Sequence, residues 1–591
     1  MKKYILPILT VCATLQLFSC SDDFLERTPD TQIPESQVFF NSETGLQMFS
    51  DGFYRYFSAN SIKEDATSDN CEHLGSPADI RTKDYALPTA LGSGGWDWTS
   101  IRNVNYFISK CKESTVESEI KNKYLGLARF FRAYLYFSKV KAFGDVPWYS
   151  NALNTNDDEE LYKARDSRTL VMDSVLADLD FAIKYLPEEQ YHNRISHWTA
   201  LAFKSRICLY EGTWRKYHPS YNLPNAEKFI QESFNASKEL VDKGPYKLYT
   251  TGNPVSDYRM LFLFTTAPAE ECILSLSFPQ DQTGGGAEYN YFFTDYSNGN
   301  HGATRSLIED YFMVDGTSFN MKYSEAEQET MSFADEMKNR DPRLAASIIT
   351  PGYIRYGTDG GRNYGDFMQN RTGYQICKRV GPEPYVDYRD IILMRYAEVL
   401  LNYAKAAEEL GKLDKTILDK TINEIRKRAG FNIPLILENI TTDNHQRALY
   451  QQIKDNDVLC EIRHERRVEL AFEGLRYDDI IRWGEGHLFR ETYEGIYINA
   501  GINTPVDLDS DGINDVCFVR EKPENLDKNL TYIEIMGANG FSKGDNEGGR
   551  IIPYNKEYVP FEDWEYLKPI PTEELTLNKN LKQNPQWELI K

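Results

Sequence analysis

The chain has 591 residues, with 67 basic against 89 acidic side chains and a formal net charge of −22 at pH 7. An acidic surface of this kind argues against binding to nucleic acid, whose phosphates require a basic face, and against lying flat on an anionic membrane. The length allows a large hydrophobic core or several domains.

The N-terminal residues predict a lipid-anchored protein. Residues 4–18 form an almost uncharged run that has the length of a signal-peptide core and is too short to span a bilayer comfortably. The sequence "LFSC", residues 17–20, resembles a bacterial lipobox, in which Cys20 becomes the acylated first residue of the mature chain. The following "SDD" resembles the acidic export signal of surface lipoproteins. We therefore predict a signal peptide over residues 1–19, lipidation at Cys20 and a tether over residues 20–45.

Five later segments show the apolar periodicity of amphipathic helices: residues 120–144, 167–188, 195–212, 225–248 and 389–414. Ser167 is the expected N-cap of the second segment. The other four are expected to end at Gly144, Gly212, Gly244 and Gly411. Helices of this length, with small residues where partners come close, indicate stacked pairs. Because the 34-residue period of tetratricopeptide repeats (TPR) is only loosely kept, the predicted fold class is mainly α with TPR-like helix pairs.

Glu465, Glu469 and Glu473 recur every four residues and therefore share one face of a predicted helix. Two carboxylates could form the acid/base pair of a glycosidase, but such a pair must flank the scissile bond from opposite sides. We instead predict a charge network that pins this helix to its neighbours. An apolar stripe is expected on the opposite face, at Val468, Ala471, Phe472 and Leu475, with neutralising arginines at Arg463, Arg466, Arg467 and Arg476.

Two other catalytic motifs are absent from the sequence. It contains no HExxH and no Gly-Lys-Ser/Thr after the glycines of residues 283–288. The seven cysteines beyond residue 20 are odd in number and include no CxxC pair, so we expect buried free thiols rather than a zinc site or a disulfide framework. We therefore predict no enzymatic activity and no redox or organic cofactor.

The segment "DLDSDGINDV", residues 507–516, predicts a structural Ca²⁺ site. Oxygen-bearing side chains alternate along it, and Gly512 permits the turn that would wrap them round a cation. The predicted ligands are Asp507, Asp509, Asp511, the carbonyl of Ile513 and Asp515. An EF-hand would have Glu at the twelfth position, which is Phe518 here, so water or more distant carboxylates must complete the shell. The alternative is a solvated acidic turn.

Fragments spread along almost the whole chain resemble the SusD/RagB family of surface glycan- or nutrient-binding lipoproteins. They include "CSDDFLERTP", "WDWTSIRNVNYF", "RFFRAYLYFSKVKAFGDVPW", "IRHERRVELAFEGLRYDDIIRWG" and "YLKPIPTEELTLNKNLKQNPQW". The resemblance implies a mostly helical body with TPR-like pairs over residues 46–300 and a loop-rich C-terminal region over residues 301–591. It also implies an outer-membrane, cell-surface location and a role as a ligand-capturing lid beside a SusC-like TonB-dependent transporter.

Long loops at residues 85–98, 277–302 and 351–374 are the places where such a family would bind its ligand. Trp96 and Trp98 follow a glycine run with no obvious core to enter, and an indole can lie against the apolar C–H face of a sugar ring. Alternatively, Trp98 packs inward at the start of the helix expected near Thr99. The candidate ligand-binding residues are Arg81, Trp96, Asp97, Trp98, Tyr289, Tyr291 and Tyr296, followed by Tyr353, Tyr356 and Tyr364.

The leading functional hypothesis is a non-enzymatic binding protein for an oligosaccharide that works with a transporter. A peptide-binding member of the same family is one alternative. A lipid-anchored glycoside hydrolase is another, and the missing acid/base pair argues against it.

Overall fold

A computed structural model describes residues 37–58, 64–73, 78–278, 301–367, 370–381, 388–535 and 539–590. Within these ranges, the α-helices of eight or more residues are α1 Glu43–Asp51, α2 Thr99–Glu113, α3 Ser118–Phe143, α4 Arg168–Tyr185, α5 His197–Tyr217, α6 Ala226–Lys243, α7 Pro254–Leu261, α8 Tyr396–Glu409, α9 Asp457–Glu469 and α10 Arg476–Trp483. Shorter ones are Gln37–Phe40, Asp79–Thr82, Asp158–Leu161, Arg305–Asp310, Phe319–Lys322, Glu325–Gln328, Phe333–Glu336, Pro342–Ser347, Lys415–Lys420, Ile422–Arg428, Asn444–Leu449 and Thr572–Leu577.

Helices dominate these ranges, and consecutive long helices pack against each other. Helix α3 packs against α2 and α4, α5 against α4 and α6, and α6 against α8. The predicted fold class, mainly α with TPR-like stacked pairs, is confirmed. No helix of the described part is long and apolar enough to cross a membrane. The predicted signal peptide, Cys20 and the three tyrosines Tyr289, Tyr291 and Tyr296 lie outside the described residues.

Two helix ends follow the sequence prediction closely. Ser167 caps α4 by accepting a hydrogen bond from the Leu170 N–H at 3.3 Å. Helix α3 ends at Phe143, and Gly144 follows it with a φ of 73°, in the left-handed region that only glycine adopts without strain.

Gly212 lies inside α5 rather than at its end, so the predicted helix stop there is wrong. The helix continues to Tyr217. A Cβ atom on Gly212 would lie 2.5 Å from Cγ1 of Ile230 and 2.8 Å from the Ile230 backbone nitrogen, both in α6. The glycine therefore allows α5 and α6 to approach closely. In the sequence, a glycine with this packing role cannot be distinguished from one that ends a helix.

Twelve short strands form five small sheets within the described ranges. They are β1 Cys71–His73, β2 Cys272–Leu276, β3 His301–Ala303, β4 Tyr353–Ile354, β5 Gly361–Arg362, β6 Ile391–Arg395, β7 Tyr497–Ile498, β8 Pro505–Val506, β9 Val516–Val519, β10 Thr531–Glu534, β11 Gly540–Phe541 and β12 Gly549–Ile552. The two three-stranded sheets, β10-β9-β8 and β11-β12-β7, both lie in the C-terminal part, which is otherwise rich in loops.

The segment 389–414 forms a strand and then a helix, whereas the sequence predicted one helix. Strand β6 pairs antiparallel with β2, and α8 begins immediately after it at Tyr396. The β-branched residues Ile391 and Ile392 favour an extended conformation once a partner strand covers them. That partner is more than one hundred residues away in sequence, so the local apolar pattern could not reveal it.

The three aligned glutamates of the α9 region lie in a buried charge network, as predicted. Glu465 accepts from Arg343 at 2.6 Å and from Arg426 at 2.8 Å. Glu469 pairs with Arg343 at 2.9 Å, with Arg395 at 2.7 Å and with Arg428. Glu473 pairs with Arg395 and, at 2.8 Å, with Lys378. The predicted apolar stripe is also buried at Val468, Ala471 and Phe472.

The arginines predicted to neutralise these glutamates have other partners. Arg463 pairs with Glu485 at 3.0 Å, Arg466 with Asp479 at 2.7 Å, and both Arg467 and Arg476 with Asp69. Side chains that follow one another along a helix point in different directions. The charged side chains of α9 therefore form ion pairs with several surrounding segments. The network therefore links α9 to residues throughout the chain.

Buried His464 predicts a loss of stability at alkaline pH. Its Nδ1 lies 3.3 Å from Glu461 Oε1, and its Nε2 lies 2.5 Å from the Asp310 carbonyl oxygen. Burial alone would lower the pKa of His464, but Glu461, Asp310 and Glu465 outweigh it and raise the pKa to about 9. This value exceeds the pKa of about 6.5 that histidine has in the unfolded chain. The charged His464 ring therefore stabilises the fold fully below about pH 6.5, and this stabilisation is lost as the pH rises through about 9.

Urea unfolding of wild type and His464→Gln at about pH 7.5 and about pH 9.5 tests this expectation. The stability advantage of wild type should fall by roughly 2 kcal/mol between the two conditions, at about 1.4 kcal/mol per pKa unit. His218→Gln is the matched control, because burial lowers the pKa of His218 to about 4 and leaves that ring neutral at both pH values. An advantage over His464→Gln that is equal at both pH values contradicts the assignment.

Candidate functional site

An apolar cavity of about 230 Å³ opens to solvent between the start of α2, the loop after α3 and the C-terminal segment. Its lining residues come from positions 96–105, 147–162 and 574–581 and include Trp96, Trp98, Arg102, Asn105, Tyr149, Leu153, Tyr162, Glu574 and Leu577. We call it the aromatic cavity. A concave, mostly apolar site with a few polar groups at its edge is the usual form of a small-molecule site.

The two tryptophans of the glycine-bearing loop have different environments. Trp96 is 2% exposed and meets the ring of Phe143 edge-to-face at a centroid distance of 4.8 Å. The expectation that this ring has no core to enter is therefore wrong, because the end of α3 provides one. Trp98 stays half-buried and lies edge-to-face on Tyr149 at 5.8 Å, so that it forms part of the cavity wall.

Lys139 of α3 holds the loop that carries both tryptophans. Its ammonium group donates to the Gly95 carbonyl oxygen at 2.5 Å and to the Asp97 carbonyl oxygen, and it lies 5.3 Å from the Trp98 ring centroid. Burial lowers the pKa of Lys139 to about 8, while Asp97 opposes that shift. On the other side, the Gly92 N–H donates to Glu574 at 2.9 Å. The loop that carries Trp96 and Trp98, which we call the tryptophan loop, is therefore fixed from two directions.

Polar groups surround the apolar wall. Asn105 donates to the Tyr149 carbonyl oxygen at 2.8 Å and accepts from Arg132 at 3.0 Å, which fixes the loop after α3. The Arg102 side chain is exposed at the rim, and Tyr162 is 41% exposed. A flat ring with polar substituents could lie on the aromatic faces while its edge meets these donors.

Of the other predicted ligand-binding residues, neither Arg81 nor Asp97 lines this cavity. Arg81 is 3% exposed, pairs with Glu72, and lies 3.5 Å from the Tyr493 ring centroid. Asp97 accepts a hydrogen bond from the Thr99 hydroxyl at 2.7 Å at the start of α2. In the next candidate loop, Tyr353 is buried, and Tyr356 is 40% exposed.

The sequence reasoning missed Tyr149 and Tyr162, which line the cavity together with Trp98. Neither residue lies in a glycine-rich loop, and only the folded chain brings them next to the tryptophans. The run of two aspartates and two glutamates at residues 157–160 would have been the available signal, because it marks an exposed turn.

A second, more polar cleft of about 710 Å³ adjoins the aromatic cavity and shares Tyr149, Asn151 and Leu153 with it. Its other wall is the turn and short helix at residues 157–160, which consists of two aspartates and two glutamates. We call it the acidic cleft. A ligand larger than the aromatic cavity can extend into this cleft.

The predicted calcium ligands Asp507, Asp509 and Asp511 lie together in a tight turn. One carboxylate oxygen of each lies within 4.8 Å of the others. Asp507 accepts from the Ser510 N–H at 2.7 Å and from the Gly512 N–H at 2.8 Å, and Gly512 has a φ of 90°. These bonds shape the turn so that its oxygens converge, which is the arrangement a hard cation prefers.

Residues beside this turn are held by further hydrogen bonds. Asp515 accepts from the Leu508 N–H at 2.8 Å, and burial together with Asp509 raises the pKa of Asp515. Asn363 donates to Asp509 at 2.7 Å and ties the turn to the loop after β5. Ile513 is 64% exposed.

Comparison with known proteins gives two family matches. The SusD family matches residues 270–587, and the family described as "Starch-binding associating with outer membrane" matches residues 23–209. SusD-like protein P38 of Formosa agariphila is 25% identical over 502 residues, which cover 80% of this chain and 90% of that protein. A SusD-like protein of Bacteroides ovatus is 23% identical over 510 residues, covering 80% of this chain and 82% of that protein.

Solved structures show the same fold. A SusD-like protein from Bacteroides fragilis superposes with a TM-score of 0.67 at 22% identity, covering 93% of this chain and 98% of that one. A SusD-like carbohydrate-binding protein from the same species gives a TM-score of 0.64 at 22% identity, with coverages of 92% and 100%. Since the SusD family match spans more than half of the sequence, the chain belongs to the SusD family.

Proposed function

We propose that this protein is a non-enzymatic, lipid-anchored glycan-binding protein of the outer-membrane surface. It captures oligosaccharides in the aromatic cavity and passes them to a TonB-dependent transporter of the SusC type. The observation that carries the proposal is the wall formed by Trp98, Tyr149 and Tyr162 beside the Arg102 guanidinium. Sugar rings present apolar C–H faces with hydroxyls at the edge, which such a wall complements.

The comparisons support the same ligand class. One matched family is described as starch-binding and associated with the outer membrane, and one similar structure is of a carbohydrate-binding protein. The aligned carboxylates Glu465, Glu469 and Glu473 are buried and paired with cations, so they are unsuited to act as an acid/base pair. A bound oligosaccharide should therefore be recovered intact, and no new reducing ends should appear.

Truncation of Trp98 tests the proposed binding site. Trp98→Ala should weaken binding of the best oligosaccharide from a screened panel roughly tenfold, because a stacked ring contributes about 1.4 kcal/mol of binding free energy. Isothermal titration calorimetry measures the affinity. Tyr162→Ala serves as a second variant, since that ring is 41% exposed and contributes little to the core.

Two further variants separate binding from packing. Trp96→Ala should lower the melting temperature, because the Trp96 ring is buried against Phe143. Tyr185→Ala changes a half-buried ring that packs on Phe181 away from the cavity, and it should leave the affinity unchanged. If Trp98→Ala and Tyr162→Ala both bind as wild type does, the site lies elsewhere, and the loop with Tyr356 becomes the next candidate.

We also propose that the turn at residues 507–515 holds a structural Ca²⁺ ion, with Asp507, Asp509, Asp511, the Ile513 carbonyl and Asp515 as ligands. The convergent oxygens of the three alternating aspartates support this proposal. An ion that binds only the folded chain stabilises it by about 2.7 kcal/mol at one hundred times its dissociation constant.

Removal of calcium with a chelator should therefore lower the melting temperature of the wild type, and added Ca²⁺ should restore it. The double variant Asp509→Asn and Asp511→Asn should melt at the same temperature with and without chelator, because it removes two ligand charges but keeps the side-chain shapes. Differential scanning fluorimetry measures both effects. A wild-type melting temperature that ignores both chelator and Ca²⁺ means that the turn is only solvated.

A further inference from the structure

The charges around the proposed binding site are unevenly distributed. The turn and short helix of the acidic cleft present Asp157, Asp158, Glu159 and Glu160, of which the last three are exposed. Asp158 and Glu159 have no cationic partner among the residues that the structure describes. Among the described residues that line the cleft, the only basic one is Lys163.

Lys163 is already engaged and cannot easily serve an incoming anion. Its ammonium group donates to the Trp148 carbonyl oxygen at 2.6 Å and lies 3.0 Å from Asp166 and 3.3 Å from Glu160. It also lies 4.8 Å from the Tyr149 ring centroid. Freeing Lys163 for a ligand would break several of these contacts at once.

The aromatic cavity adds little positive charge. Arg102 is the one basic residue among the described residues of its lining, and Glu574 lies in the same wall. Protein sites that bind carboxylate or sulfate groups usually present unpaired arginine or lysine side chains that converge on the anion. Along the path from Trp98 to the acidic cleft, the described lining sets one exposed arginine, Arg102, against five carboxylates, those of Glu574 and of residues 157–160.

We propose that this site selects neutral oligosaccharides and rejects anionic ones, because the acidic cleft repels a carboxylate or sulfate group on any sugar unit that extends beyond the aromatic cavity. The proposal rests on the glycan-binding function proposed above. Like charges at about 4 Å repel by about 1 kcal/mol even in water, and by more beside a protein surface. Salt screens this repulsion, so selectivity should weaken as ionic strength rises.

The test begins with a screen of the full-length protein against neutral hexasaccharides of glucose, mannose and xylose. The best neutral ligand is then compared with a partly sulfated form of the same chain, which carries added charge and some added bulk. At low ionic strength the sulfated form should bind at least tenfold more weakly. At about 1 M NaCl, where the Debye length is about 3 Å, the difference should shrink.

A variant separates charge from steric fit. The quadruple change Asp157→Asn, Asp158→Asn, Glu159→Gln and Glu160→Gln keeps the shape of the cleft and removes its charge. The quadruple variant should lower the ratio of the dissociation constant of the sulfated ligand to that of the neutral ligand. The surface change Glu239→Gln, in α6, should leave this ratio unchanged. The proposal is overturned if the sulfated form binds wild type as tightly as the neutral form, or if the quadruple variant keeps the full ratio.

The outcome also distinguishes this inference from the function on which it rests. If only anionic saccharides, such as oligogalacturonate or chondroitin sulfate fragments, bind and require Trp98, glycan binding at this site stands and charge selection is wrong. If no saccharide of either charge binds, the proposed function fails, and the selectivity inference falls with it.

Discussion

Replacement of Glu469 by alanine is expected to lower the free energy of unfolding by about 3–5 kcal/mol, the usual cost of removing one member of a buried ion cluster. Glu469 is fully buried and contacts Arg343, Arg395 and Arg428. Burial would raise the pKa of Glu469, but these three arginines hold it well below its usual value. Without this carboxylate, three guanidinium groups remain buried close together with insufficient negative charge.

The midpoint of urea unfolding, followed by tryptophan fluorescence, measures this loss. Glu239→Ala is the control, because Glu239 forms an exposed i,i+4 pair with Lys243 at 2.9 Å. It should change the stability by no more than about 0.5 kcal/mol. If Glu469→Ala cannot be purified, Glu469→Gln removes the charge and keeps the shape. A Glu469 variant that unfolds at the wild-type urea concentration would falsify the view that this network stabilises the fold.

Replacement of Cys20 by alanine is expected to release the protein from the outer membrane. The proposed anchor consists of acyl chains on Cys20, and each buried CH₂ group contributes about 0.8 kcal/mol to membrane binding. Several such chains on one cysteine would together supply a firm attachment. The variant should appear in soluble or mislocalised fractions.

Fractionation of cells after a high-salt wash measures the attachment. Cys12→Ala is the control, because Cys12 lies within the predicted signal peptide and is not the predicted acylation site. It should remain membrane-bound like wild type. Persistence of Cys20→Ala in the washed outer-membrane fraction would mean that another feature of the chain holds the protein there.

Local features of the fold could be predicted from the sequence, because their causes are local. Ser167 caps α4 through a bond to a residue three positions away, and Gly144 ends α3 through its own backbone conformation. The four-residue spacing of Glu465, Glu469 and Glu473 correctly predicted a charge network, although Glu473 lies beyond the end of α9. Each of these outcomes depends on helical spacing or on the intrinsic preference of one residue.

Features that depend on distant partners could not be predicted. Gly212 resembles a helix stop until Ile230 of the neighbouring helix is seen next to it. Trp96 resembles a loop aromatic until Phe143 buries it. The true partners of Glu469 come from positions 343, 395 and 428. The same limit applies to the aromatic cavity, where Trp98 was predicted and Tyr149 and Tyr162 were not.

The assembly of the aromatic cavity from three segments has a consequence for biosynthesis. Its third wall, residues 574–581, belongs to a C-terminal segment that returns to α3, where the Lys568 N–H donates to the Ala142 carbonyl oxygen at 2.7 Å. At roughly 5–20 residues per second, a ribosome makes this segment tens of seconds after the tryptophan loop. A chain that is still being synthesised, or one clipped before residue 574, therefore lacks the third wall of the aromatic cavity.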